Sequence, residues 1–465
     1  MTLKQKVGLI AGPVVALVVG LAMLQFSDIP PAAVLTASIT VLVIIWWILE
    51  PIPIPVVSLL PLTLLPMCGI ITVKDVQQSY GHPLILLLLG GFILSTAMAH
   101  SGAHQKIAYA ILRVFGGKSG RSLVLGFMAT AAILSMWISN TATTLMLLPV
   151  ALAILDRVND QRLVAPLLLG TAHAASVGGI GTPIGTPPNV VFLGLYNEHV
   201  GAPSMEIDFL QWMTWGIPVV IVVVPLLALW LTRNVNFRTD IQLPDVGKWT
   251  AAQKRVLMIF ALTACGWVFR NAPFEGWAGL LPEGWHSSDY MVAFFAIVAL
   301  FMTSDGKGNR LLDWETATKI PWGMLLLFGA GLTIAKAFEA SGLSAVLAEN
   351  FDLLEQLPVL LLILIICLFV TFLTETTSNT ATTTILLPIF LAAAIAAAVD
   401  PKLFMVPAAM SASCAFMLPV ATPPNVVVYS SGRFPMEKMA KEGFILNLIG
   451  AVVITTACFL YFSNL

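Results

Sequence analysis

Between Arg121 and Asp156 the chain runs for 34 residues, 122–155, without a single charge. As one α-helix that stretch would extend about 51 Å, well past the roughly 30 Å hydrocarbon core of a bilayer. Two full crossings need about 40 residues, which leaves nothing for a turn. A polar phrase, SNTATT, interrupts the stretch at Ser139. Divided there, it makes two arms of about 25 and 21 Å, each of which enters partway and stops. Such a segment is expected to fold as a re-entrant hairpin. Backbone broken at that depth survives only where protein or a water-filled cavity satisfies its polar groups.

The surrounding chain is of the same kind. Of 465 residues 58% are hydrophobic and 10% charged, against about 25% charged in soluble domains. The expected fold class is an all-α polytopic membrane protein with about 11 transmembrane helices plus two re-entrant helical hairpins. Spans are expected at 7–26, 32–49, 54–70, 84–99, 164–196, 210–231, 254–270, 290–303, 322–338, 403–428 and 443–461. The first lacks a small-residue cleavage site and reads as a membrane helix rather than a removed signal. A net charge of −1 offers no basic surface for nucleic acid. Cys68, Cys265, Cys367, Cys414 and Cys458 form no C-x-x-C and read as fillers of apolar segments.

The basic residues test the hairpin independently. With the N-terminus in the cytoplasm, and with 122–155 and 357–399 each returning to the side they left, 19 of the 23 Lys and Arg fall in cytoplasmic segments. Lys74, Arg270, Lys336 and Lys402 are the exceptions. The positive-inside rule requires such an asymmetry. A single crossing by either stretch would invert everything after it and erase the bias.

The phrase is also written twice. SNTATTLMLLP begins at Ser139 and SNTATTTILLP at Ser378, 239 residues later. Downstream, GTPPNVVF from Gly185 matches ATPPNVVV from Ala421 at an offset of 236. SGAHQKIA at Ser101 and SGLSAVLA at Ser341 extend the correspondence upstream. The order span, hairpin, broken span, span therefore occurs twice, and the charge-based topology inverts the second copy. Inverted repeats whose discontinuous helices meet near the midplane are a transporter architecture. One proline-rich break could be a kink relieved by its neighbours; two breaks, each paired with a polar tip, are expected to form a site.

Asn, Ser and Thr side chains supply neutral donors and acceptors. Helix N-termini just after each tip add unpaired N–H groups that suit an anion, while unwound carbonyls suit a cation such as Na⁺. Neither hairpin nor either TPPN break holds a Lys or Arg. A bare dianion would be costly to bring there, so co-bound cations are part of this reading.

The paired SNT motifs, Ser139-Asn140-Thr141 and Ser378-Asn379-Thr380, with GTPPN and ATPPN following, resemble the divalent anion–sodium symporter family. Its INDY-type members are sodium-coupled dicarboxylate carriers, and the resemblance covers essentially the whole chain. It implies that Asn140, Thr141, Thr186, Pro187, Ser378, Asn379, Thr380, Thr422 and Pro423 surround a C4 dicarboxylate. It places one sodium among Ser135, Ser139, Asn140 and Gly185, and a second among Thr374, Thr377, Asn379 and Ala421. Trp137-Ile138 stand where the second copy has Thr376-Thr377, so the first cation site would lean more on backbone carbonyls. No cofactor is implied beyond sodium as coupling ion. The resemblance further implies a plasma (inner) membrane homodimer working as an elevator. Residues 1–118 and 250–355 would be scaffold and dimerisation part. Residues 119–232 and 356–465 would be the transport part, with hairpins 122–155 and 357–399 and broken helices 164–196 and 403–428. HQKIAYAILRVFGGKSGR (104–121) and SAVLAENFDLLEQ (344–356) could connect the two parts as interfacial arms or be ordinary surface segments.

The same residues admit other readings. Glu375 is the only charge in the second hairpin; an intramembrane carboxylate is a functional candidate, and a solvated or structural role is equally open. His100 and His104 lack a third ligand and read as a solvated helix end; His173 reads as a packing or hydrogen-bonding group. An intramembrane enzyme would need a nucleophile with a base, and no such pair stands out at membrane depth. A channel would conduct, which patch-clamp recording would reveal. Among transporters, a sodium-coupled citrate or sulfate carrier and a sodium-independent dicarboxylate exchanger remain as alternatives. The charge count places the C-terminus outside. A C-terminal alkaline phosphatase fusion is therefore expected to be active and a C-terminal GFP fusion dark; the opposite pair of results overturns the topology.

Overall fold

The computed structural model describes residues 3–25, 29–115, 119–158, 160–200, 206–235, 247–348, 357–397 and 399–462. Lys118, Arg238 and the 349–356 part of the second expected arm lie outside the described residues. Among those described, the elements are helices, with one isolated β-bridge between Ser304 and Arg310.

Among the described residues, eight helical stretches are long and apolar enough to cross a membrane: Leu3–Met23, Pro31–Leu49, Val73–Ser101 (interrupted at 81–82), Asn140–Val158, Gln161–Gly181, Phe209–Leu231, Trp322–Ala340 and Met436–Phe462. Two expected spans take other shapes. Segment 54–70 is a pair of short helices, Ile54–Val57 and Leu59–Met67, because Pro61 has no N–H to return to the carbonyl of Val57. Segment 290–303 is the 14-residue helix Asp289–Met302, about 21 Å long.

Residues 122–155 form two helices, Gly120–Ser135 and Asn140–Val158, separated at 136–139. Residues 357–399 likewise form Val359–Thr374 and Asn379–Ala396. The first arm opens on a reciprocal cap in which Ser119 and Ser122 bond each other's backbone and side chain at 3.2 Å. Residues 164–196 begin as Gln161–Gly178, tighten into a 3-10 turn at Gly179–Gly181 and resume as Pro187–Val200. The second copy runs Lys402–Ser411, then a 3-10 turn at Pro419–Ala421, then Pro423–Tyr429.

Gln161–Gly178 is the central element. Every residue from Leu163 to Gly178 is buried, as expected of a helix apolar on all faces. It lies so close to Gly120–Ser135 that a Cβ on Gly178 would fall 2.4 Å from the carbonyl oxygen and 2.5 Å from the Cα of Ala132. The large core containing these helices draws on residues from Ile85 to Phe462. A smaller core is built from Ala33 to Ile71 and Leu327 to Leu343, all within the expected scaffold.

Two sets of polar contacts between distant segments each join stretches that the charge-based topology puts on one side, cytoplasmic for the first set and outside for the second. In the first, Lys106 donates to the carbonyl of Gly247 (2.8 Å), Arg121 to Val235 (3.0 Å) and Arg255 to Ser304 (2.6 Å), while Arg233 pairs with Glu442 (2.9 Å). In the second, Glu198 bridges His82 (3.3 Å) and Lys336 (2.9 Å), and Arg270 pairs with Asp289 (2.9 Å). Hydrogen bonding by His82 first, then Lys336, draws the pKa of the Glu198 carboxyl down from the usual carboxylate range to about 2.

The Gly178–Ala132 approach sets a stability test. Gly178→Ala must push backbone away from backbone, at about 1–3 kcal/mol or more, and is expected to lower the melting temperature of the purified protein by several degrees. An unchanged melting temperature would contradict the close crossing.

Candidate functional site

Each tip and its break are joined by hydrogen bonds. In the first half the helix stops at Ser135, the chain turns through 136–139, and Ser139 caps the next helix by accepting the N–H of Ala142 (3.2 Å). That satisfies one of the orphan donors of a helix start. Ser135 Oγ donates to Asn140 Oδ1. The break reaches the same place: a Cβ on Gly179 would lie 3.0 Å from the carbonyl oxygen of Gly185 and 3.1 Å from Asn140 Oδ1. Ser135, Asn140 and Gly185 are thus brought together, around space that only a glycine at 179 leaves free. Thr182 Oγ1 donates to the carbonyl of Met136, fastening break to tip.

The second half repeats the geometry at its own offset. Ser378 caps by accepting from Ala381 (3.3 Å). Thr374 Oγ1 lies 2.8 Å from Asn379 Oδ1 and 3.3 Å from the carbonyl of Ala412. One hydroxyl hydrogen cannot satisfy both acceptors at once, which leaves an oxygen-rich corner suited to a cation. Thr377 turns elsewhere: its hydroxyl bonds the Leu373 carbonyl (3.1 Å) and Thr382 Oγ1. Ala421 is buried at the end of the 3-10 turn, without a described hydrogen bond to Asn379.

The remaining expected site residues line the same elements. Thr141 and Thr380 follow the two Asn residues in the first helical turns, Thr141 half-buried and Thr380 buried. Thr186 and Thr422 are 2% and 3% exposed. Thr422 caps its helix by accepting the Asn425 N–H (3.3 Å). Pro187 and Pro423 open the two post-break helices, where a missing N–H costs nothing.

Two residues that the motif phrases contain, but whose work they do not disclose, are Asn189 and Asn425. Asn189 Nδ2 donates to the carbonyls of Gly179 (2.9 Å) and Thr182 (2.7 Å). Asn425 Nδ2 donates to Ala415 and Leu418, both at 3.0 Å. All four carbonyls are related by the 236-residue offset. Trp212 adds an indole N–H to the carbonyl of Ile180 (2.8 Å). Nothing in the local sequence around Trp212 signals that bond.

The halves interlock. The helix after the first break, Pro187–Val200, packs on the helix after the second tip, Asn379–Ala396. Reciprocally, Pro423–Tyr429 packs on Asn140–Val158. His173 sits between them with its ring 4.7 Å from that of Phe416.

Paired tips and breaks, free of Lys and Arg and rich in oxygen, in a bundle of apolar helices define the class of ion-coupled secondary transporters. The chain belongs to the family described as the sodium:sulfate symporter transmembrane region, whose model matches residues 4–465. This is the family expected from the SNT and TPPN phrases. The chain is similar to the sodium-dependent dicarboxylate transporter SdcS of Staphylococcus aureus strains USA300 and NCTC 8325, 39% identical over 478 residues. That match covers 97% of this chain and 90% of the relative. The fold is shared with the YdaH transporter of Alcanivorax borkumensis (TM-score 0.61, 16% identity, 83% of this chain and 87% of that one). It is also shared with MtrF of Neisseria gonorrhoeae (TM-score 0.60, 12% identity, 86% and 84%). At these identities the structural likeness speaks for the fold alone.

The repeated amide geometry can be tested directly. Asn189→Ala and Asn425→Ala each strip two buried carbonyls of a donor, at about 1–3 kcal/mol per orphaned group. Both variants are expected to lower the melting temperature by similar amounts; a neutral effect at either position would contradict the pairing.

Proposed function

We propose that the protein couples inward sodium movement to uptake of a C4 dicarboxylate such as succinate, malate or fumarate. The observation that carries this reading is the pair of neutral oxygen corners, Ser135–Asn140–Gly185 and Thr374–Asn379–Ala412. Neither contains a basic residue to pair with a carboxylate. A relative of 39% identity is named for sodium-dependent dicarboxylate transport, and it supports the same substrate class.

The chemistry follows from charge. Moving a dianion into an uncharged interior is costly unless its charge is compensated. Sodium ions held by the hydroxyl, amide and carbonyl oxygens would supply that compensation. Helix N-termini at Asn140, Pro187, Asn379 and Pro423 would face the carboxylates with N–H groups and positive dipole ends. Substrate and cation therefore bind better together than apart. A surplus of one positive charge per cycle would add about 2.3 kcal/mol per 100 mV.

Alternating access is read as an elevator in a plasma-membrane homodimer, with 119–232 and 356–465 moving against 1–118 and 250–355. The Glu198 bridge to His82 and Lys336 supports it, being a polar and exchangeable contact between residues assigned to the two parts. The grouping of the other distant polar contacts supports hairpins that return to the side they leave. The family's description names sulfate, which makes sulfate the competing substrate.

Reconstituted into proteoliposomes, the protein is expected to take up radiolabelled succinate only under an inward sodium gradient, with excess malate or fumarate competing and sulfate not. Asn140→Ala and Asn379→Ala are each expected to reduce uptake at least 100-fold while the protein stays folded. Equal uptake in potassium would contradict sodium coupling, and competition by sulfate alone would reassign the substrate.

A further inference from the structure

The two halves satisfy the same broken backbone by different means. The first unwinds through Gly178, Gly179 and Gly181, where glycine lets the chain close into a 3-10 turn. The stretch at the equivalent offset, Ala415 to Leu418, has no glycine and forms no turn. Its three consecutive N–H groups are taken by one side chain. Glu375 Oε1 accepts from Phe416 N (2.7 Å), Met417 N (2.9 Å) and Asn447 Nδ2 (2.7 Å), and Oε2 accepts from Leu418 N (2.9 Å). Glu375 is 3% exposed and belongs to no described salt bridge. Every hydrogen it meets comes from an N–H, as befits an acceptor-only carboxylate.

The repeat makes this substitution legible. Glu375 aligns with Met136, and Leu418 aligns with Thr182. In the first half Thr182 Oγ1 donates to the backbone carbonyl of Met136; in the second, the Leu418 N–H donates to the Glu375 side chain. The same tip position grips the same break position in both halves, once through a main-chain oxygen and once through a carboxylate. Glu375 also directly follows Thr374, whose hydroxyl lies between Asn379 Oδ1 and the Ala412 carbonyl.

We propose that Glu375 is a positioning residue for the second cation half-site. It locks 416–418 against the hairpin tip and so fixes the separation of Thr374, Asn379 and the unwound carbonyls of the break. This rests on the reading of that half-site as a sodium site and deepens it. The fixed carboxylate gives the second half-site a negative neighbour that the first, with Met136, does not have. Sodium binding in the second half therefore depends on a residue that touches neither the ion nor the dicarboxylate.

The test is sodium activation of succinate uptake in proteoliposomes, measured beside the succinate KM at saturating sodium. Glu375→Gln replaces one acceptor oxygen with an amide facing N–H groups. It is expected to raise half-saturating sodium at least tenfold while the KM changes less than threefold. Asn447→Ala, which removes one donor from the carboxylate, is expected to move half-saturating sodium in the same direction by a smaller factor. Half-saturating sodium unchanged in Glu375→Gln, or both constants shifted equally, would overturn the proposal. Should Glu375→Gln not fold, the sodium-induced rise in melting temperature of purified Glu375→Asp decides. A rise smaller than in the wild type supports the proposal, and an undiminished one overturns it. A wild type without sodium dependence would remove the half-site reading and this proposal together.

Discussion

A helix that stops inside an apolar bundle leaves carbonyls and amides that no hydrocarbon can satisfy, and the rest of this structure is arranged around that constraint. The two breaks meet it with the same device, the amide of the final Asn in each TPPN phrase bonded back to two carbonyls of the unwound segment that precedes it. The tips meet it with Ser caps and with an Asn whose oxygen is bonded by a hydroxyl five residues earlier. Oxygens of Ser135 and Gly185 gather near Asn140, and that of Thr374 lies beside Asn379.

The proposed sodium coupling accounts for the absence of Lys and Arg from both tips and both breaks. A Lys or Arg at the tips would pair with a carboxylate directly, but would bind it as well without sodium as with it. Uncharged oxygens hold a dianion weakly unless cations come too, and that dependence is what coupling requires. Pro187–Val200 packs on Asn379–Ala396 and Pro423–Tyr429 on Asn140–Val158, so each post-break helix covers the tip helix of the other half.

Much of this could be read from the residues before any coordinates. The interruption of 122–155 at the SNT phrase followed from a stretch too long for one crossing and too short for two, while the helix stop at Ser135, four residues earlier, did not. The breaks followed from glycines and prolines at 178–188 and 418–424. The split of 54–70 was also written in the chain, since Pro61 removes the bond to Val57, but hydropathy averaged over a span conceals a single missing donor. What could not be read was anything set by distant partners. Glu375 meets donors 41, 42, 43 and 72 residues away, and Trp212 meets Ile180 across 32. No periodicity or motif links such positions. The direction taken by the Thr377 hydroxyl, toward Thr382 rather than Asn379, is likewise a matter of local packing that residue type leaves undetermined.

The most direct examination of the central claim is an experimental density map of the full-length protein prepared in sodium and succinate, compared with one prepared in potassium without succinate. The expected result is density for a four-carbon diacid between Asn140 and Asn379, flanked by cation density at Ser135–Asn140–Gly185 and at Thr374–Asn379–Ala412, all absent in potassium. Density for the diacid elsewhere, or the two tips separated by packed hydrocarbon side chains, would contradict it.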